Sequence, residues 1–468
     1  EICSGIAFNT PVFNSSVSST IYEWTLTNSS IPSTLTGYPA PNGTGNINGS
    51  VITNFGPSLV TLIYEVLPTS FGCNGVPEIF SLTIQPDLQV FFSESNQTIC
   101  DGSTTNPVAL SSNSPNTIIN WSVDSVPAGL SGVTPLNGTS SIPAYSFVNS
   151  TNQPVILTFT IQAINSIDAS ICPGDIYTYS ITINPSPIVN QVTDQVLCNG
   201  SASAQIQFTG SGTTYQWQNN LPSIGLAANG TDLIPTFTSV NTGTSPITAT
   251  ISATPFFTLN GITCSGTPTN FTLTINPSGQ VNPIQDIVAC NGDAIQAVNF
   301  ISVNTGGVNT FSWVNNNNTT GLVSGGVTSG TPAFVGQNTS SQANISEVTV
   351  SPTFTNLGVS CPGNPTSFTI TINSTPQIIS NSDMLICNNT AVSISPQTNV
   401  PSIFAWQGVA NPFVSGITTN LQNGTVIQDV LVNSSTSPQI VNYNITLISS
   451  PQGCSGIQSQ ISVTVQPN

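Results

Sequence analysis

The sequence contains no lysine, no arginine and no histidine in 468 residues. Charged residues of any kind make up 4% of it, against about a quarter in ordinary globular proteins. Each absence removes a class of chemistry. Phosphate backbones are neutralised by Lys and Arg, so nucleic-acid binding is excluded. The formal net charge of −17 repels anionic membranes. No imidazole is present to serve as base or metal ligand. No Lys is present for a Schiff base or a Lys–Asn isopeptide crosslink. Ser and Thr are plentiful but have neither His nor Lys to activate them. No run of residues is long and apolar enough to span a membrane. The chain opens on Glu1-Ile2-Cys3, so any export signal is expected upstream. One reading of the missing cations is resistance to proteases that cut after Lys or Arg, which suits an exposed extracellular chain. The plainer reading is compositional drift in a low-charge family.

Against these absences, hydrophobic content is 38%, enough for globular cores. What the chain has is a repeat. Five cysteines, Cys3, Cys100, Cys198, Cys290 and Cys387, stand about 92–98 residues apart. Roughly 20 residues after each comes one tryptophan: Trp24, Trp121, Trp217, Trp313 and Trp406. A second cysteine follows in each unit: Cys73, Cys172, Cys264, Cys361 and Cys454. Each unit closes on an alternating segment such as Phe271-Thr-Leu-Thr-Ile-Asn-Pro277. Apolar residues alternating with Thr or Ser give the period of a half-buried strand. Two positions before each Trp stands a large apolar residue (Tyr22, Ile119, Tyr215, Phe311, Phe404), which period two places on the same, core-facing side. Gly, Asn, Ser and Pro clusters separate the strands, and helix signals are nearly absent. The expected fold is all-β: five tandem immunoglobulin-like β-sandwich domains in an extended array. Their bounds are 1–86, 87–185, 186–277, 278–374 and 375–468. The Trp residues are expected in the cores rather than exposed as sugar-stacking platforms.

The ten cysteines are even in number and regular, which points to disulfides and an oxidising compartment. With no His and no CxxC cluster, zinc is not expected. Each first Cys ends an opening strand and each second Cys precedes the closing strand. This predicts a staple at one pole of each sandwich: Cys3–Cys73, Cys100–Cys172, Cys198–Cys264, Cys290–Cys361 and Cys387–Cys454. Each would close a loop of about 70 residues, worth roughly 4 kcal/mol in the chain-entropy model. Bonds crossing between repeats are the alternative.

Further sequence details bear on the junctions and surface. Short Pro-bearing links (Pro185, Pro187, Pro277, Pro283, Pro376) are semi-rigid, so a domain plus link should span ~40 Å. Asp194, Asp286 and Asp383 each stand four residues before a first Cys, with Asn96 at the equivalent place. Calcium at the junctions is one reading of them, and an Asx-turn that starts the strand is the other. Otherwise no cofactor is expected. Many Asn-x-Ser/Thr sequons occur, among them Asn14, Asn42, Asn137, Asn229, Asn338 and Asn433. Phe91-Phe92 and Phe256-Phe257 are the candidate exposed aromatics for a binding surface, or else strand residues. The first unit begins two residues before Cys3, where the others have about 13, so its opening strand is expected to come from upstream sequence or from another chain.

The second cysteines read Cys73-Asn-Gly75, Cys172-Pro-Gly174, Cys264-Ser-Gly266, Cys361-Pro-Gly363 and Cys454-Ser-Gly456. Gly5, Gly102, Gly200 and Gly292 stand two places after the first cysteines, and Asn389 takes that place in the fifth unit. With the single Trp between them, this order resembles the PKD-like repeats of large proteins exported by type IX secretion in Bacteroidota-type bacteria, including gliding and attachment adhesins. The resemblance implies an extracellular, cell-surface spacer or stalk of an adhesin or filament, with no catalytic residues. Its partners would be neighbouring repeats of the same or a larger chain, and surface polysaccharide or other cell-surface proteins if the repeats themselves bind. A carbohydrate- or protein-binding module and a filament subunit that assembles by strand donation are the alternatives. Direct membrane insertion is not expected.

Overall fold

A computed structural model describes every residue except 167–171 and 381–382. It is all-β, and the described residues form only two single turns of 3-10 helix, Pro222–Ile224 and Asn318–Thr320. Five separate cores follow one another along the chain, each centred on one of the five Trp.

The third repeat shows the plan. Its opening strand, Gln195–Cys198, pairs in parallel with the closing strand, Thr269–Asn276. The closing strand pairs antiparallel with a long strand, Ile247–Leu259, which pairs with the Trp strand, Thr214–Asn219. A short strand, Asn229–Thr231, finishes this sheet. Short strands such as Ile206–Gln207 and Leu233–Ile234 make the facing layer. The same sheet order recurs in repeats 2, 4 and 5. In repeat 1 the opening strand is reduced to a single parallel bridge, Ile2 to Ile84.

Period two along these strands does what the sequence requires. All five Trp are buried, at 2–7% exposure. Ile119, Tyr215, Phe311 and Phe404 are buried beside them, while Tyr22 is half-buried. The indole N–H of Trp121 donates to the Ser141 carbonyl at 2.7 Å and that of Trp217 to Leu233 at 2.9 Å. Trp24 Nε1 has no such partner. The recurrent Asn-Gly-Thr segments lie against the Trp strand, and their glycines (Gly43, Gly138, Gly230) face the indole. A side chain there would run into the Trp ring. The glycine of each of these sequons is therefore explained by packing, while the Asn and Thr on either side of it are exposed.

The long strand continues past the start of the closing strand into a second hairpin. Asn260-Gly261, at φ 52° and 76°, forms the two-residue turn, and the return strand Ile262–Ser265 carries Cys264. Both central residues take positive φ, as the hairpin turns that match strand twist require. Leu357-Gly358 and Phe71-Gly72 make equivalent turns.

The intra-repeat disulfide pairing is incorrect. Because the opening strand runs parallel to the closing strand, its cysteine meets the closing strand's end, not its start. Leu197 lies beside Ile275, itself opposite Ile247, whereas Cys264 lies opposite Phe257. Those positions are ten residues apart on one strand, roughly 33 Å at about 3.3 Å per residue. A disulfide needs Cα atoms within about 7 Å. The two cysteines of a repeat therefore stand at opposite poles and cannot bond to each other.

Candidate functional site: the joint between repeats

Four of the five opening-strand cysteines bond instead to the hairpin cysteine of the next repeat. The bonds are Cys3–Cys172, Cys100–Cys264, Cys198–Cys361 and Cys290–Cys454, with Cα atoms 5.2–5.7 Å apart. Cys73 and Cys387 are left as free, exposed thiols. None of the expected pairs Cys3–Cys73, Cys100–Cys172, Cys198–Cys264, Cys290–Cys361 and Cys387–Cys454 forms. The bonded hairpin cysteines are buried: Cys172 is 9% exposed, Cys264 3%, Cys361 0% and Cys454 1%.

Hydrogen bonds surround the bridges. Asn276, the last residue of its closing strand, is fully buried and donates from Nδ2 to the carbonyl of Asn356, at 3.1 Å, in the next repeat's hairpin. Asn356 Nδ2 donates back to Asn276 Oδ1 at 3.0 Å. Asn184 reaches the Leu259 and Ile262 carbonyls at 3.5 Å, astride the neck of the next hairpin. Repeats 3 and 4 also share a main-chain bond, Thr305 N–H to the Thr244 carbonyl at 2.8 Å. A buried amide that pairs across a boundary fixes the two bodies in one register, because leaving it unpaired costs about 1–3 kcal/mol. The glycine two places after each hairpin cysteine has its own reason. Gly266 and Gly363 lie so close under the incoming link, at the Pro187 and Gly279 carbonyls, that any side chain would clash.

A second constellation was not read from the sequence. Asn54, Asn149, Asn241, Asn338 and Asn433 are all buried, at 0–5% exposure. Asn241 is typical. Its Nδ2 donates to the Ser245 carbonyl at 2.9 Å and to the Ile275 carbonyl of the closing strand at 2.7 Å, and its Oδ1 accepts the Gly243 N–H at 3.0 Å. Asn338 and Asn433 make the same bonds. Two of the sequons noted above thus have amide nitrogens already spent inside the fold. Fivefold recurrence ahead of each long strand was the available signal.

Asp194, Asp286 and Asp383 latch the opening strand to the closing strand. Their Oδ1 atoms accept the backbone N–H of Thr272 at 2.6 Å, Thr369 at 2.6 Å and Ser462 at 3.2 Å. Asn96 does the same for Ser180 at 3.0 Å. The backbone N–H of Thr369, aided by its side chain, holds the Asp286 carboxyl below the ordinary carboxylate range. These three carboxylates sit in three different repeats, and no cluster of three or more metal-ligating residues occurs among the described residues.

Of the candidate aromatics, Phe92 stacks on Tyr179 with ring centroids 5.7 Å apart, and Phe256 and Phe257 are half-buried on the long strand. Phe91 is 49% exposed. Tyrosines inside the sandwiches are far from ionising. Burial pushes Tyr145 up to about 12, and burial with the nearby Tyr38 does the same for Tyr64. Tyr443 is raised by burial and by its hydrogen bond to the buried carboxylate of Asp429, which also accepts from the Thr418 N–H and hydroxyl. An open trough of about 760 Å³ lies on the outer sheet face of repeat 3, walled by Gln216, Gln218, Asn220, Thr250, Ser252 and Asn270.

Residues 1–88 and 384–468 match the protein family described as PKD-like domain. Repeats 1 and 5 resemble PKD-like domains. No curated protein matches. Among solved structures, the human desmocollin-1 ectodomain aligns over 99% of this chain and 97% of its own, at 10% identity and a TM-score of 0.23. Sidekick-1 immunoglobulin domains 1–5 align over 100% and 96%, at 14% identity and a TM-score of 0.23. A titin fragment spanning domains I67–I69 aligns over 60% and 98%, at 10% identity and a TM-score of 0.35. Scores this low carry no argument about what the present chain does.

Proposed function

We propose that the chain is a structural spacer, a stalk segment of a large extracellular surface adhesin or filament that projects a distal region. The observation that carries this reading is the joint. Every pair of neighbouring repeats is tied pole to pole by a disulfide, and a buried Asn closes the joints from repeat 2 to 3 and from 3 to 4. Bridges of this kind form in oxidising compartments, which supports a place outside the cytoplasm. Pole-to-pole joints hold successive modules in line instead of letting them fold back. The PKD-like character of repeats 1 and 5 and the motif resemblance support the surface-adhesin setting and export by type IX secretion. The chain is read as non-catalytic: it has no imidazole and no lysine, and its buried acid Asp429 is engaged by Thr418 and Tyr443. A low-charge surface without Lys or Arg suits a stalk exposed to proteases.

Length tests it. Small-angle scattering should give a rod on the order of 200 Å at ~40 Å per repeat. Reduction should leave the repeats folded and make the rod flexible. A compact particle in oxidising buffer would overturn the reading. The amide-lined trough on repeat 3 favours a second role, weak polysaccharide binding, which a glycan array would detect.

A further inference from the structure

In every repeat a three-residue edge strand lies against the Trp strand. In repeats 1, 2 and 3 it is Asn42–Thr44, Asn137–Thr139 and Asn229–Thr231, each with its glycine opposite the Trp. Packing demands that glycine and says nothing about its neighbours. Repeats 4 and 5 separate the two. In repeat 4, Gly325–Val327 keeps Gly326 opposite Trp313 and has neither Asn nor Thr. In repeat 5 the register slides, so that Gln422 stands opposite Trp406. Gly424 there has room for a side chain, yet Asn423-Gly424-Thr425 still makes the same triplet, with Asn423 and Thr425 exposed. The glycine follows the indole, whereas the Asn and Thr occur together or not at all.

The Asn and Thr side chains of these four triplets are exposed and hold no hydrogen bond among the described residues. The sequons at Asn338 and Asn433 differ, for both Asn are buried and each Nδ2 donates to two carbonyls. A rule that ties an Asn to a Thr two places on is the acceptor rule for N-linked glycan. The location supplies a reason for one. An edge strand presents unpaired N–H and C=O groups, and proteins guard such edges with charged side chains, Lys above all. This chain has no Lys and only 4% charged residues. A glycan is bulky and solubilising, and it covers an edge without any charge. In repeats 2 and 3 the opening strand with its bridged cysteine forms the opposite edge of the sheet, so a glycan on the edge strand leaves the joint clear.

We propose that Asn42, Asn137, Asn229 and Asn423 are N-glycan acceptors, one on the edge strand of each of four repeats. The donor is a sugar activated as a pyrophosphate ester. The Asn Nδ2 attacks the anomeric carbon, and a C–N bond forms as the C–O bond to the pyrophosphate breaks. The pyrophosphate leaves with the electron pair, and the amide nitrogen gives up one proton. The inference is independent of the spacer reading, since a covered edge serves a stalk and a binding module alike.

Mass spectrometry of peptic peptides from the native protein tests it, because the chain offers trypsin no site. Sugar should map to Asn42, Asn137, Asn229 and Asn423, and to neither Asn338 nor Asn433. The full chain carrying Thr139→Ala, made in the native host, should lose the sugar at Asn137 completely and keep the other three. Its Trp fluorescence and urea midpoint should stay those of the folded chain, and Thr139→Ser should retain the sugar. An unmodified peptide as the main species at any of the four sites would overturn the proposal. So would sugar on Ser or Thr in place of Asn, equal occupancy at Asn338 and Asn433, or a Thr139→Ala chain that keeps its sugar at Asn137.

Discussion

Repeats 1 and 3 share a plan and differ in whether the hairpin cysteine is bridged. In repeat 3 the opening strand contributes four paired residues and the hairpin thiol is buried in a bridge. In repeat 1 the opening strand is one bridge at Ile2, and Cys73 is exposed. Yet both keep the core Trp and the buried Asn, Asn54 in one and Asn241 in the other. The sandwich is thus an internal property of each repeat: its Trp and its buried Asn keep their places whether the hairpin thiol is bridged or exposed.

That contrast can be broken by substitution. The largest effect is expected at the bridges. Replacing Cys198 and Cys361 by Ala removes a crosslink over 163 residues, worth about 5 kcal/mol in the chain-entropy model, whereas Cys73→Ser should change stability by nothing measurable. Urea titrations followed by Trp fluorescence would compare them. Next comes the buried amide. Asn241→Ala strands two carbonyls and an N–H and should cost about 2–3 kcal/mol. Asn54→Ala should cost as much, since that node does not depend on neighbours. Smaller again is the indole. Trp217→Phe loses a hydrogen bond as well as volume, so it should exceed Trp24→Phe by about 1 kcal/mol, read from the same titrations.

The smallest effect is a pH dependence. The Asp286 carboxyl sits below its ordinary 3.8 in the folded chain, so its stabilising contribution is complete above that value and is lost as the pH falls through the lowered one. Asp286→Asn should flatten the acid limb of stability for repeat 4. Repeat 2, with Asn96 at that place, supplies the natural control.

Strand content and core Trp positions were legible because each is a local pattern: alternation, turn residues, one aromatic at a fixed place. The pairing of cysteines was not. It depends on whether two distant strands run parallel, and spacing along a chain carries no sign of direction. Asn260-Gly261 did carry a signal, since a two-residue turn there sends Cys264 back along the long strand, beyond the closing strand's start. The buried Asn nodes were hidden for another reason. In a chain crowded with Asn, Ser and Thr, a structural Asn-x-Ser such as Asn433-Ser-Ser435 has the spelling of a glycan acceptor.

Because the bridges skip between repeats, they also set how long the chain can become when pulled. From Cys3 the covalent path crosses to Cys172, runs 26 residues to Cys198, crosses to Cys361 and runs 26 more to Cys387. At most ~3.5 Å per residue, each 26-residue stretch reaches about 90 Å, so that path is limited to about 190 Å even if every sandwich melts. The same 384 residues without bridges would pay out to roughly 1,300 Å. Tandem sandwiches without such crossings absorb a load by unravelling one after another. This one behaves as a cable of fixed length, passing tension on with almost no give.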